Sequence, residues 1–165
     1  RSPFSKKYLW VLYNKGKKFE TWMAIRRVLK LYEKMLRKVC TEYHLTVMEA
    51  DIISFLKNNP GKDTAADIVE LRMLSKGAVS KAVEALIQKS FLDRSADQHD
   101  RRKIHLRLRP EARPIMDSID EIQNEFWNML LDGFSEEELT GYVRFREKLL
   151  LNIDRAMEGK KDYEE

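Results

Sequence analysis

Three helix-start signals stand close together in the middle of this 165-residue chain, and no other feature restricts its fold as much. Thr46-x-x-Glu49 has the capping-box arrangement, in which the hydroxyl takes the amide three residues on and the glutamate reaches back to the threonine amide. Thr64-x-x-Asp67 repeats it in weaker form, and Ser75 caps a third helix. The first helix stops near Lys57 at the breaker NNPGK, the second near Arg72 and the third near Lys89. Only Met73 and Leu74 separate Arg72 from Ser75, so the last two helices must meet at a tight turn, as in a helix-turn-helix.

Beyond Lys89 the apolar period changes from helical to alternating. Phe91–Ser95 and Lys103–Arg109 read as two strands with polar residues 96–102 between them. In the second, Ile104, Leu106 and Leu108 alternate with Lys103, His105, Arg107 and Arg109, the pattern of a strand with one buried face. The hairpin is framed by longer helices. From Phe19 to about Tyr43, Phe19, Trp22, Ile25, Leu29, Tyr32, Leu36 and Val39 recur at three and four, opposite a face of Arg26, Arg27, Lys30, Lys34, Arg37 and Lys38. Pro110 opens another helix with Ile115, Met116, Ile119, Ile122, Phe126 and Leu130 inward. After Asp132-Gly133-Phe134, Ser135 and Glu138 cap a last one along Leu139, Tyr142, Phe145, Leu149 and Ile153. Residues 4–14 form an aromatic extension suited to docking on something. The order predicts a mainly α fold with a small β-hairpin wing: a winged helix-turn-helix lobe over residues 44–109, framed by terminal helices.

An apolar content of 43% fills one core, and roughly 150 residues per domain makes 1–165 a single domain. There is no apolar run of about 18 uncharged residues and no signal-peptide order, so neither a membrane span nor secretion is expected. Lone Cys40 excludes an internal disulfide and fits the reducing cytoplasm. Charge is segregated: 12 Lys or Arg against 2 acids over residues 1–40, 10 against 4 over 72–109, and 7 against 15 over 110–165. Such a division directs a basic face at a polyanion, nucleic acid ahead of an anionic membrane. An enzyme is not expected. The three histidines His44, His99 and His105 form no catalytic constellation, no GxSxG, P-loop or HExxH pattern occurs, and no cofactor or metal is implied.

Between Ser75 and Lys89, Val79, Ala82, Val83 and Leu86 form the inward stripe, which leaves Lys76, Gly77, Ser80, Lys81, Glu84 and Gln88 outside. A helix fits the major groove, and its N-terminal half reaches deepest, so Lys76, Ser80 and Lys81 are the expected contacts, with Gly77 allowing close backbone approach. A wing beside it can place an arginine in the adjacent minor groove. Asp100 stands two residues before Arg102, near enough to aim its guanidinium, and Arg101 and Lys103 flank it toward phosphate.

The chain resembles the MarR family of bacterial transcription regulators in LTVMEADIISFL (45–56), AADIVELRMLSKGAVSKAVEALIQKSFLDRS (65–95) and DRRKIHLRLRPEAR (100–113). Asp100, Arg102, Leu106 and Leu108 match the family's wing pattern Asp-x-Arg, three residues, Leu-x-Leu. The resemblance implies a homodimer in which the helical regions 1–43 and 110–165 of two chains interlock, and recognition helices that read a palindromic double-stranded operator. It also implies a repressor released by a small-molecule effector, often an aromatic or amphipathic anion. Gly77-Ala78 departs from the family where hydroxyl residues are frequent, Arg109 replaces a threonine before Pro110, and Ala112 replaces a frequent glycine. Two alternatives remain at this level. One is a winged-helix module that binds protein, which has no need of Asp100, Arg102 and a basic strand face. The other is a metal- or redox-sensing regulator using Cys40, with His44 at i+4 and Glu42 or Glu49 recruited as a third ligand.

Overall fold

The computed structural model describes residues 18–100 and 102–158, with side chains from Met23 onward. In chain order the elements are α1 (Lys18–Glu42), α2 (Val47–Asn58), α3 (Ala65–Arg72), α4 (Lys76–Gln88), β1 (Leu92–Ala96), β2 (Ile104–Leu108), a 3-10 turn at Pro110–Ala112, α5 (Arg113–Leu130) and α6 (Glu136–Glu158). The aromatic extension, and the side chains of Phe19 and Trp22, lie outside the described residues.

The three start signals work as their spacing requires. Thr46 Oγ1 accepts from the Glu49 amide and Glu49 Oε2 from the Thr46 amide, both at 3.2 Å. Thr64 and Asp67 make the same exchange at 3.1 and 3.0 Å, and Ser75 Oγ accepts from the Ala78 amide at 3.2 Å. Met73 ends α3 in the left-handed region with φ 52°, and this tight reversal lets α4 begin after so short a link.

Contacts divide the chain into two compact units, one reaching Phe126 and the other starting at Trp127. In the first, Leu36 and Val39 of α1, Ile52 and Ile53 of α2, Ile68 of α3, Val79 and Leu86 of α4, Leu92, Leu106, Ile115 and Ile119 share one core. Tyr32 meets Phe126 edge-on, with ring centroids 5.2 Å apart. Gln123 donates to Tyr32 Oη at 3.0 Å and to Ser54 Oγ at 2.9 Å, and Lys57 pairs with Asp120, so α5 is tied to α1 and α2 by polar contacts as well. In the second unit Ser135 and Glu138 cap α6 reciprocally. No residue of α6 is buried, and its stripe of Tyr142, Phe145, Leu149 and Ile153 is open to solvent.

Periodicity alone does not say whether a face is covered. Ile25 and Leu29 continue the α1 stripe, yet they are 47% and 57% exposed, and among the described side chains of that helix those that enter the core lie in its C-terminal half. Ile104 was expected to pack the hairpin down, but at 39% exposure it lies toward the tip, past the edge of the core that holds Leu106. Strand β1 is displaced one residue toward the C-terminus, and β2 is one residue shorter at each end, relative to the limits that the sequence suggests. The ladder does extend through the bond from the Arg109 amide to the Phe91 carbonyl at 3.0 Å. No helix among the described residues is long and apolar enough to cross a membrane.

Candidate nucleic-acid interface

Helix α4 is positioned from both ends. Ser75 caps its start, and at its finish Lys89 reaches back to the other end of the lobe, donating to Glu49 Oε2 at 2.6 Å and to the His44 carbonyl at 2.7 Å. Glu49 is only 4% exposed, so this carboxylate both caps α2 and anchors the end of α4. Val79, Ala82, Val83 and Leu86 are buried, and Lys76, Gly77, Ser80, Lys81, Glu84 and Gln88 are all exposed, as the periodicity required.

Gly77 has an ordinary helical backbone, and a Cβ placed on it would meet nothing within 4 Å. Glycine in a helix costs about 1 kcal/mol relative to alanine. Packing within the described residues offers no reason for accepting that cost.

The wing runs antiparallel, with Leu92 opposite Leu108 and Ala96 opposite Ile104. Leu92 joins it to Leu86 of α4 in the core, and an ion pair that sequence reading missed adds a surface link: Arg94 of β1 meets Glu84 of the outward face at 2.6 Å. Glu84 is therefore engaged by the wing, while Lys76, Gly77, Ser80 and Lys81 of the N-terminal half remain exposed beside it, as does Gln88 at the far end. Arg109, at the base of the hairpin, pairs with Asp93 and Glu111, each at 3.2 Å.

At the tip the expected role of Asp100 needs correction. Its Oδ1 accepts from the Arg102 backbone amide at 3.0 Å, and among the described residues no bond from its carboxylate to the Arg102 guanidinium is formed. Two residues are enough for a side chain to close an Asx turn, and this is what the short aspartate side chain does. Asp97 organises the rest: its Oδ1 accepts from the amides of His99 and Asp100 at 2.7 and 2.8 Å. Arg102 and Lys103 are exposed on the turn so formed. Arg101 lies outside the described residues.

His105, read from sequence as one of four basic groups on a solvated strand face, is engaged on both sides. Nδ1 lies 2.7 Å from Asp63 Oδ1 and Nε2 lies 2.9 Å from Asp97 Oδ2. The hydrogen bonds to Asp97 and then Asp63 push the imidazole pKa above its usual value. The same bond to His105 holds Asp97 far below the usual carboxylate range, aided by the two backbone amides.

Cys40 is buried among the core side chains, and burial raises its thiol pKa, with the charge of Glu49 acting in the same direction. A buried protonated thiol is a poor nucleophile and a poor metal ligand. His44 is exposed in a turn with φ 54°. Among the described residues no three His, Cys, Asp or Glu side chains are grouped to hold a metal ion.

Comparison with known proteins agrees with this geometry. A family model described as MarR family matches residues 44–103, which is the lobe from α2 through the wing. The HTH-type transcriptional regulator PecS of Dickeya dadantii (strain 3937) is 29% identical over 119 residues, covering 71% of this chain and 72% of PecS. Among solved structures, a MarR-family transcriptional regulator from Silicibacter pomeroyi superposes with a TM-score of 0.72 at 19% identity, over 84% of this chain and 92% of that one. Bordetella bronchiseptica BpsR, described for the regulation of its DNA binding by 6-hydroxynicotinic acid, has the same fold, with a TM-score of 0.62 at 19% identity over 79% of this chain and 98% of that one. With the helix-turn-helix, the wing and these matches in agreement, residues 44–103 are similar to the MarR family of winged helix-turn-helix transcription regulators, and the chain shares the fold of its solved members.

Proposed function

We propose that this protein is a transcription regulator of the MarR family, a homodimeric repressor that binds a palindromic operator in double-stranded DNA and is released by a small ligand. The observation that carries the DNA reading is the open N-terminal half of α4, with Lys76, Gly77, Ser80 and Lys81 exposed beside a wing whose tip exposes Arg102 and Lys103. In the proposed complex α4 enters the major groove, Lys76, Ser80 and Lys81 meet base edges and phosphates, and the bare backbone at Gly77 allows close approach. Arg102 enters the adjacent minor groove, with Asp100 fixing the backbone that presents it, while Arg101 and Lys103 attend the phosphates. That use of Gly77 would offset its cost within the helix.

Dimerisation is supported by apolar surface the chain leaves open: Ile25 and Leu29 on α1, and Tyr142, Phe145, Leu149 and Ile153 on α6. We assign residues 1–43 and 110–165 to this role and 44–109 to DNA. For the ligand, BpsR supplies the precedent of a small aromatic acid. In this chain Arg72, paired with Asp51 where α3 meets α2, is the cation such an acid would compete for. Binding there would favour a spacing of the two lobes that no longer fits successive major grooves.

The test is selection of bound duplexes from a randomised pool with the purified protein, followed by anisotropy titrations at two salt concentrations. An inverted repeat with half-sites about one helical turn apart is expected. Arg102→Ala should weaken binding to the selected duplex by about 1–3 kcal/mol and relax preference at the flanking minor-groove positions. Lys81→Ala should change base preference if it reads a base. If it meets only phosphate, all duplexes should weaken alike and the salt slope should fall by about 1. No loss for Arg102→Ala would remove the wing from the interface. Failure to enrich any duplex would favour the reading as a protein-binding winged helix.

A further inference from the structure

Besides burying Leu106 in the shared core, strand β2 is hydrogen-bonded to the loop between α2 and α3. The Leu106 amide donates to the Asp63 carbonyl at 2.7 Å, and Thr64 and His105 form an isolated antiparallel bridge, so the α2–α3 loop acts as a short third strand beside the wing. At this point the His105 ring spans from Asp63 in that loop to Asp97 at the start of the wing turn. Arg102 is three residues from His105, on the turn that Asp97 organises.

The chemistry of this span depends on charge. A neutral imidazole carries one N–H and one lone pair, so it can donate to one carboxylate while its other nitrogen faces the second with a lone pair. Only the imidazolium donates to both. His99 and Arg107 line the same open hollow as Asp63, Asp97 and His105, and Ser95 is the uncharged register partner on β1. The charges of Lys62 and Lys103 act on Asp67 at the start of α3. Of the charged groups, Asp63 and Asp97 are the ones hydrogen-bonded to the ring.

We propose that His105 is a positioning residue for DNA binding: its imidazolium ties the wing turn to the α2–α3 loop, and loss of its proton frees the turn that presents Arg102, so operator affinity falls as pH rises. The role assigned to His105 rests on the chain being a DNA-binding regulator. The direction comes from the raised pKa: the tie is complete below the usual imidazole value of 6.5 and is lost as pH rises through the higher folded value. Asp97 remains ionised throughout that window, because its own pKa is lowered.

The test combines NMR titration of the three histidine rings in the full chain with anisotropy against pH for a fluorescein-labelled duplex taken from the selection, or a mixed-sequence duplex at low salt. Wild type, His105→Gln and His99→Gln are compared. His105 should titrate above the usual imidazole value of 6.5, and wild-type affinity should fall roughly tenfold between about pH 6 and about pH 9, following the His105 titration. His105→Gln should bind more weakly than wild type at the acid end, equally at the alkaline end, and with little slope, whereas His99→Gln should keep the wild-type slope. A His105→Gln chain that retains the slope, or a His105 ring that titrates at or below 6.5, overturns the proposal. Absence of binding to any duplex at any pH overturns the DNA reading and this proposal with it.

Discussion

Exchanging Leu149 and Ile153 together for glutamate should turn a dimer into a monomer in sedimentation velocity at micromolar concentration, with helix content unchanged. Glutamate is as good a helix former as leucine, so α6 itself has no reason to unravel. The two positions are 45% and 43% exposed on a helix without a buried residue, so the single chain has little packing to lose. The whole cost would fall on association. Each carboxylate carried into an apolar interface without a partner costs several kcal/mol, and two enter from each chain. A nanomolar dimer is held by about 12 kcal/mol, so this loss exceeds what such an interface can absorb. The variant should also lose operator affinity, because two half-sites would no longer be read by one particle. A variant that still sediments as a dimer would show that α6 does not form the interface.

Ile53→Ala should lower the free energy of unfolding by about 2–5 kcal/mol in urea, with the denaturant slope unchanged. Ile53 is fully buried on α2, in the cluster shared by helices and hairpin. Truncation loses the transfer of its methyl and methylene groups from water and leaves a cavity that α2 cannot close while Glu49 and Lys57 hold it to α4 and α5. Alanine's better helix propensity returns only a few tenths of a kcal/mol. Below its melting temperature the variant should bind the same duplexes as wild type, since no group of the proposed interface has changed. A loss under about 1 kcal/mol would mean that the site collapses around alanine, contrary to the tight packing of the cluster.

The helix starts were legible because a cap is a local event. Thr46 with Glu49, Thr64 with Asp67 and Ser135 with Glu138 each join residues three apart, and no knowledge of the rest of the fold is needed to see them. The outward face of α4 was legible for a similar reason, since one turn of helix fixes which side chains share a side. The groups that orient α4 and the wing were not. Lys89 finds Glu49 across 40 positions and His105 finds Asp63 across 42, and no spacing rule connects such pairs. At the wing tip the misreading was one of geometry. Asp100 was near enough to Arg102 in sequence, but a side chain that short reaches the neighbouring amide first. The central role fell to Asp97, whose one detectable signal was its position at the start of a polar turn.

Among its described side chains, helix α1 is embedded toward its C-terminal end and open from Met23 to Lys30, with Leu36 and Val39 in the core and Ile25 and Leu29 outside it. It therefore has the mechanics of a crank. From Leu36 to Lys18 the axis rises about 27 Å, so a tilt of about ten degrees at the embedded end sweeps the far end through roughly 5 Å. The converse also holds: a modest sideways push on the outer turns reaches the core as a rotation too small to break its packing. In a repressor of the proposed kind that gearing would let contacts far from the operator retune the angle at which the lobe is offered to it.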